Sequence, residues 1–214
     1  VQIFVEKLMA YEGQENDVWQ ERVLAISDGQ DPIFEAEADA FLNQFSSEYQ
    51  TNMIATDPNS SEGNEQVREG IEIGNLLITY FGHGSIDMWG KDQLFTVGDA
   101  ADLRNKDRLP VVMTMSCLNG LFTHPEIESL AETLLWNSKG GAVAALAPTS
   151  LTLTTDQTVL SHAFVDKLSE NPGASIGEIL LKAQREIPIE NPGAVEVLLT
   201  FLLFGDPAMR LAYP

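Results

Sequence analysis

Short apolar runs recur along this chain, and most are followed by a stretch with helical spacing. Val23-Leu24-Ala25-Ile26 stops at Ser27-Asp28-Gly29, and Ile33, Phe34, Ala38, Phe41, Leu42 and Phe45 then give 33–48 a helical face. A weak strand at 52–55 precedes a polar loop and a helix at 64–74. Strands Leu76–Tyr80, Val111–Met115 and Ala142–Leu146 follow, with helices expected at 126–138, 156–169 and 175–186. Strands that are apolar on both faces must be covered on both sides. The pattern therefore predicts an α/β fold with a mostly parallel sheet flanked by helices. With no internal repeat and no linker, residues 1–214 read as a single domain, and the Asn-Pro-Gly triplets at 171–173 and 191–193 read as turns.

The first eleven residues read as an amphipathic helix with Val1, Val5, Leu8 and Met9 on its buried face and no N-cap residue before it. That start has the look of a piece of a longer protein. No apolar stretch is long enough to span a bilayer. The formal charge is −20, and residues 1–75 hold 16 acidic against 3 basic side chains. Such a surface argues against nucleic acid and anionic lipid as partners, and leaves a solvated face, carboxylate-bound calcium or a cationic substrate. The single cysteine excludes an internal disulfide. With three scattered histidines it also lacks the spacing of a zinc site, so no metal ligands are assigned. Neither a phosphate-binding glycine loop nor a G-x-S-x-G elbow is present.

In open parallel sheets, chemistry gathers where strands end at their carboxyl edge. Two such ends stand out. Leu76–Tyr80 runs into Phe81-Gly82-His83-Gly84-Ser85, and Val111–Met115 runs into Ser116-Cys117-Leu118-Asn119-Gly120. A cysteine and a histidine delivered this way can act as nucleophile and proton carrier in acyl transfer, with the N–H groups of Gly84 and Cys117 binding an oxyanion. A lone cysteine after a strand is more often a small buried hydrophobe. A histidine between two glycines is harder to explain as packing. His124 and His162 lie in a loop and inside a helical pattern, and Trp89 reads as packing under the histidine loop.

These residues resemble a known family. Tyr80 to Ser85 with Trp89-Gly90, then Leu103, Asn105, Leu109-Pro110 and Ser116 to Gly120 with Phe122, are similar in order and spacing to the gingipain-type cysteine peptidases. Ala131-Glu132, Gly141-Ala142-Val143-Ala144 and Phe204-Gly205-Asp206-Pro207-Ala208 continue the likeness. The resemblance implies a caspase-like three-layer sandwich and a Cys–His dyad in the C-terminal part of that family's catalytic domain. His83 would be the general acid/base, Cys117 the nucleophile, and Gly84 and Cys117 the oxyanion hole. Asp28 falls where the family orients its histidine, and Asp31 near the carboxylate that pairs with a basic substrate side chain. The segment Ala147–Thr154 carries no Trp, where the family lines its specificity pocket with one. The resemblance further implies structural calcium, a polypeptide substrate, a preceding subdomain not contained in this sequence, and an extracellular or cell-surface location. Two other functions remain open: a sortase-like transpeptidase with the same dyad, and a non-catalytic interaction module.

Overall fold

The structure is a computed structural model that describes residues 1–211, so the last three residues of the expected 1–214 domain lie outside the described residues. In chain order the first half comprises α1 (Gln2–Glu12), β1 (Arg22–Ser27), α2 (Pro32–Leu42), β2 (Gln50–Ala55), α3 (Gly63–Glu72) and β3 (Leu77–Phe81). A small hairpin of β4 (Met88–Trp89) and β5 (Phe95–Thr96) follows, then α4 (Val97–Asp102), β6 (Val111–Met115) and α5 (Leu130–Trp136). The chain continues with β7 (Ala144–Pro148), α6 (Thr154–Glu170), α7 (Ile176–Arg185), α8 (Pro192–Thr200) and β8 (Phe201–Phe204).

Six strands make one sheet in the order β2-β1-β3-β6-β7-β8, all parallel except for β8, which runs antiparallel to β7. Side-chain alternation divides the core into two layers. Val23, Ala25, Leu77, Phe81 and Met113 meet α2, α6, α7 and α8 on one face. Leu24, Ile26, Ile78, Tyr80 and Val112 meet α3, α4 and α5 on the other. The expected three-layer arrangement is therefore present. Chain order reverses between β1 and β3, and in open parallel sheets sites gather at the carboxyl ends of the strands around such a switch point.

Several boundaries differ from the sequence reading for local reasons. The helix expected over 33–48 stops at Leu42, where Asn43 is the C-cap: its N–H donates to the Asp39 carbonyl and its side-chain amide to the Asp39 carboxylate. The helix expected from 126 begins at Leu130, because Ser129 and Glu132 form a reciprocal capping box there. His124 Nδ1 accepts the Glu126 and Ile127 N–H groups and holds that segment as a turn. The triplet at 191–193 is not a free turn: Asn191 caps α8 with Pro192 as its first residue.

The largest correction falls on α1. Val1, Val5 and Met9 are exposed, and the residues turned inward are Lys7 and Tyr11. Lys7 Nζ donates to the carbonyls of Leu134, Leu135 and Gly140 at 2.9, 3.1 and 2.8 Å. Leu134 and Leu135 belong to the last turn of α5, whose final carbonyls have no partner within the helix, and Gly140 to the loop that follows. Of the expected apolar stripe only Leu8 packs against the main core, while Phe4, off that stripe, packs beside Ala145, Ala147 and Phe204.

Candidate active site

β3 and β6 are neighbours, paired in parallel with Phe81 opposite Met115. His83 and Cys117 each lie two residues beyond that pair, so the backbone register delivers both to the same point of the sheet edge. Direct contact between the two loops confirms the approach. A Cβ on Gly84 would fall 2.9 Å from the Cys117 carbonyl oxygen and 3.0 Å from Ser116 Cβ, closer than side chains tolerate. Only glycine lets the histidine loop close on the cysteine loop here.

The histidine loop is tightly bound. Ser85 N–H donates to the Met88 carbonyl at 3.0 Å, and Gly90 N–H to the His83 carbonyl at 2.9 Å. The Tyr80 hydroxyl donates to the same His83 carbonyl at 2.7 Å and accepts from Gly90 N–H at 3.0 Å. Burial, reinforced by the Asp28 carboxylate, pushes the Tyr80 phenol well above its ordinary pKa, which keeps the hydroxyl a donor. Trp89 is fully buried and stacks on the Tyr80 ring at 4.5 Å, in accord with its reading as packing under the loop. The His83 ring meets Phe34 of α2 edge-on, with centroids 5.3 Å apart.

Cys117 is half-buried, and its Sγ lies 3.5 Å from the Thr152 carbonyl oxygen. Leu118 adopts φ +63°, an unusual conformation for a branched side chain, and this turns the chain sharply after the cysteine. Its N–H then reaches Ser150 O at 3.2 Å, and Gly120 N–H reaches Pro148 O at 2.8 Å, tying the cysteine loop to the end of β7. From α6, Gln157 Nε2 donates to Ser116 O at 2.7 Å and to Thr152 Oγ1 at 2.6 Å. The N–H groups of Gly84 and Cys117 have no acceptor among the described residues.

Asp28, at the end of β1, is 2 % exposed and stands beside the histidine. Its Oδ2 accepts the His83 main-chain N–H at 3.2 Å, and Oδ1 accepts Gln30 N–H at 3.0 Å. Its observed contact with the histidine thus runs through the backbone. Asp31 is exposed and caps α2, with Oδ1 accepting Ile33 N–H at 3.0 Å. Three residues that bind the site together, Asn119, Thr152 and Gln157, do not stand out in the sequence. The one available signal is the position of Asn119 two residues after the cysteine. Among the described residues no group of three or more His, Cys, Asp or Glu side chains gathers to hold a metal ion. No helix among them is long and apolar enough to cross a membrane.

The sequence of residues 1–212 matches the family model described as peptidase family C25. The chain belongs to peptidase family C25. No curated protein matches this C25 chain. Among solved structures it is similar to the Arg-specific cysteine proteinase gingipain R (RgpB), at 21 % identity and a TM-score of 0.79 over 98 % of this chain and 52 % of that one. It is similar also to RgpB of Porphyromonas gingivalis in a complex of pro- and mature domains, at 20 % identity and a TM-score of 0.83 over 98 % and 53 % of the two chains. The separase–securin complex of Saccharomyces cerevisiae matches at 12 % identity and a TM-score of 0.63, covering 95 % of this chain and 13 % of that one. At these identities the likeness concerns the fold. The C25 chain spans about half the length of the gingipain chains it matches.

Proposed function

We propose that this C25 chain carries the reactive half of a cysteine peptidase, with Cys117 as nucleophile and His83 as its proton carrier. The observation that supports it best is the β3–β6 register, which sets the two residues side by side beyond Phe81 and Met115. The Cys117 thiolate attacks the carbonyl carbon of a peptide bond, and the carbonyl π electrons move to oxygen. The N–H groups of Gly84 and Cys117, which have no acceptor among the described residues, receive that oxyanion. Collapse expels the amine, which takes the proton held by the His83 imidazolium, and leaves a thioester on Cys117. Water then attacks the thioester as His83 accepts one of its protons, and collapse releases the carboxylic acid and expels the Cys117 thiolate beside the His83 imidazolium.

Asp28 steadies the histidine through its main chain, and Phe34 bears on the ring edge. Asp31 remains the proposed carboxylate for a basic substrate side chain, with one oxygen already committed to its helix cap. A polypeptide substrate, contact with a preceding subdomain, and an extracellular or cell-surface location belong to the same reading. Family membership supports them, and the complex of RgpB pro- and mature domains supports a polypeptide partner in particular.

The test is hydrolysis of a mixed peptide library by the wild-type chain and by Cys117→Ala and His83→Ala. Cleavage by the wild type with loss of at least about 1,000-fold in either variant is expected. A wild type that cleaves nothing and whose Cys117 resists an acyloxymethyl ketone would leave a non-catalytic module as the better reading.

A further inference from the structure

The strand ladder does not by itself hold the two reactive loops together. Its last rung is the bond from Gly82 N–H to the Met115 carbonyl at 3.2 Å, and both reactive side chains lie beyond it. One buried side chain spans the gap. Asn119 is fully buried, and its Nδ2 donates to Ser85 O at 2.6 Å and to Met88 O at 3.1 Å. Its Oδ1 accepts the Ser116 hydroxyl. Asn119 O also accepts Ala131 N–H at 3.0 Å, which anchors the residue to the first turn of α5. Both side-chain hydrogens are therefore spent on the histidine loop, and the acceptor oxygen on the residue preceding the cysteine.

From this we infer that Asn119 is a positioning residue, which sets the separation of the Cys117 sulfur and the His83 ring by bracketing the turn at 85–88. The path is short on each side: two residues from Cys117 to Asn119, and two from Ser85 to His83. A primary amide suits the task because it offers two donors to two carbonyls and an acceptor to a hydroxyl. An aspartate of the same shape has no donors and would set a carboxylate against both carbonyls, forcing the loops apart. An error of about 1 Å between reacting groups can cost about 100-fold in rate.

The inference rests on the proposed Cys–His pairing, so its test reads that pairing separately from turnover. Cys117 is the only thiol, and its alkylation by iodoacetamide at pH 6.5 reports directly on the thiolate. His83→Ala is expected to slow wild-type alkylation about tenfold. Asn119→Asp is expected to slow it by a comparable factor, and to lower kcat about 100-fold with KM within twofold. If His83→Ala alkylates like the wild type, the pairing itself fails. If His83→Ala is slowed while folded Asn119→Asp keeps wild-type alkylation and kcat, the pairing stands and the role of Asn119 is overturned. Should Asn119→Asp fail to fold, Ser116→Ala, which frees only the Oδ1 end of the bracket, decides: a smaller loss in both readouts supports the role, and wild-type values overturn it.

Discussion

Replacing Lys7 by Met keeps an unbranched side chain under α1 and removes its amine. In the folded chain Lys7 is 5 % exposed and donates to three carbonyls, two in the last turn of α5 and one in the loop that follows. Burial lowers its pKa from 10.5 to about 7. The unfolded chain therefore keeps this proton up to about pH 10.5, while the folded chain begins to lose it near pH 7. Between those limits the unfolded state binds more protons, so folding stability rises with pH, by about 2 kcal/mol from pH 7 to pH 9. Methionine does not titrate and contributes no such slope. At pH 9 the neutral amine still donates, and its loss strands acceptors of Leu135 and Gly140 at a cost of about 2–3 kcal/mol. Leu134 O keeps the Ala142 N–H at 3.0 Å. Lys7→Met should thus melt about 7 °C below the wild type at pH 9 for a chain of this size, and close to it at pH 7. Denaturant unfolding of both proteins at pH 7, 8 and 9 gives the gap directly. A gap that stays constant or narrows as pH rises would refute the argument, because it would mean the ammonium keeps its proton in the carbonyl cradle.

Other perturbations address the site. Gly84→Ala puts a methyl group 2.9 Å from Cys117 O and should cost about 1–3 kcal/mol of stability together with most of the activity, read by melting and by peptide turnover. Asp31→Asn retains an N-cap and should leave the melting temperature unchanged, whereas Asp31→Ala should lose about 1 kcal/mol. A rise in KM for Arg or Lys peptides in Asp31→Asn, at constant stability, would assign the carboxylate to substrate. Asp28→Ala leaves the part-buried N–H groups of His83 and Gln30 without their acceptor and should cost about 1–3 kcal/mol, with a drop in turnover that Asp28→Asn partly restores.

The two loops with reactive residues were legible because a parallel sheet exposes its carboxyl edge, and each apolar run ended on an unusual residue flanked by glycine or serine. Their pairing was not legible in the same way. Register is a property of neighbouring strands, and nothing in Leu77–Phe81 names Val111–Met115 as its partner. Asn119 lies in the segment Ser116 to Gly120 that follows the strand, but the sequence does not show which groups its amide meets, so the bracket emerges only with its two carbonyl partners in place. The α8–β8 pair is hard to read because Ala194 to Phe204 is apolar apart from Glu196 and Thr200, so helix and strand halves share a composition. On α1 the apolar stripe misled. Helix-end carbonyls of α5 demanded a donor, and that demand comes from a segment more than a hundred residues away.

The adjacency of β3 and β6 also separates the proposed Cys–His pair from the length of chain that joins them. His83 and Cys117 are held by a ladder and by Asn119, while the connection between them passes through an exposed turn at 106–108. Doubling a flexible loop adds only about 0.6 kcal/mol of closure entropy. That turn is therefore a place where evolution or an engineer can graft new sequence, even a second binding module, without retuning the chemistry beside it.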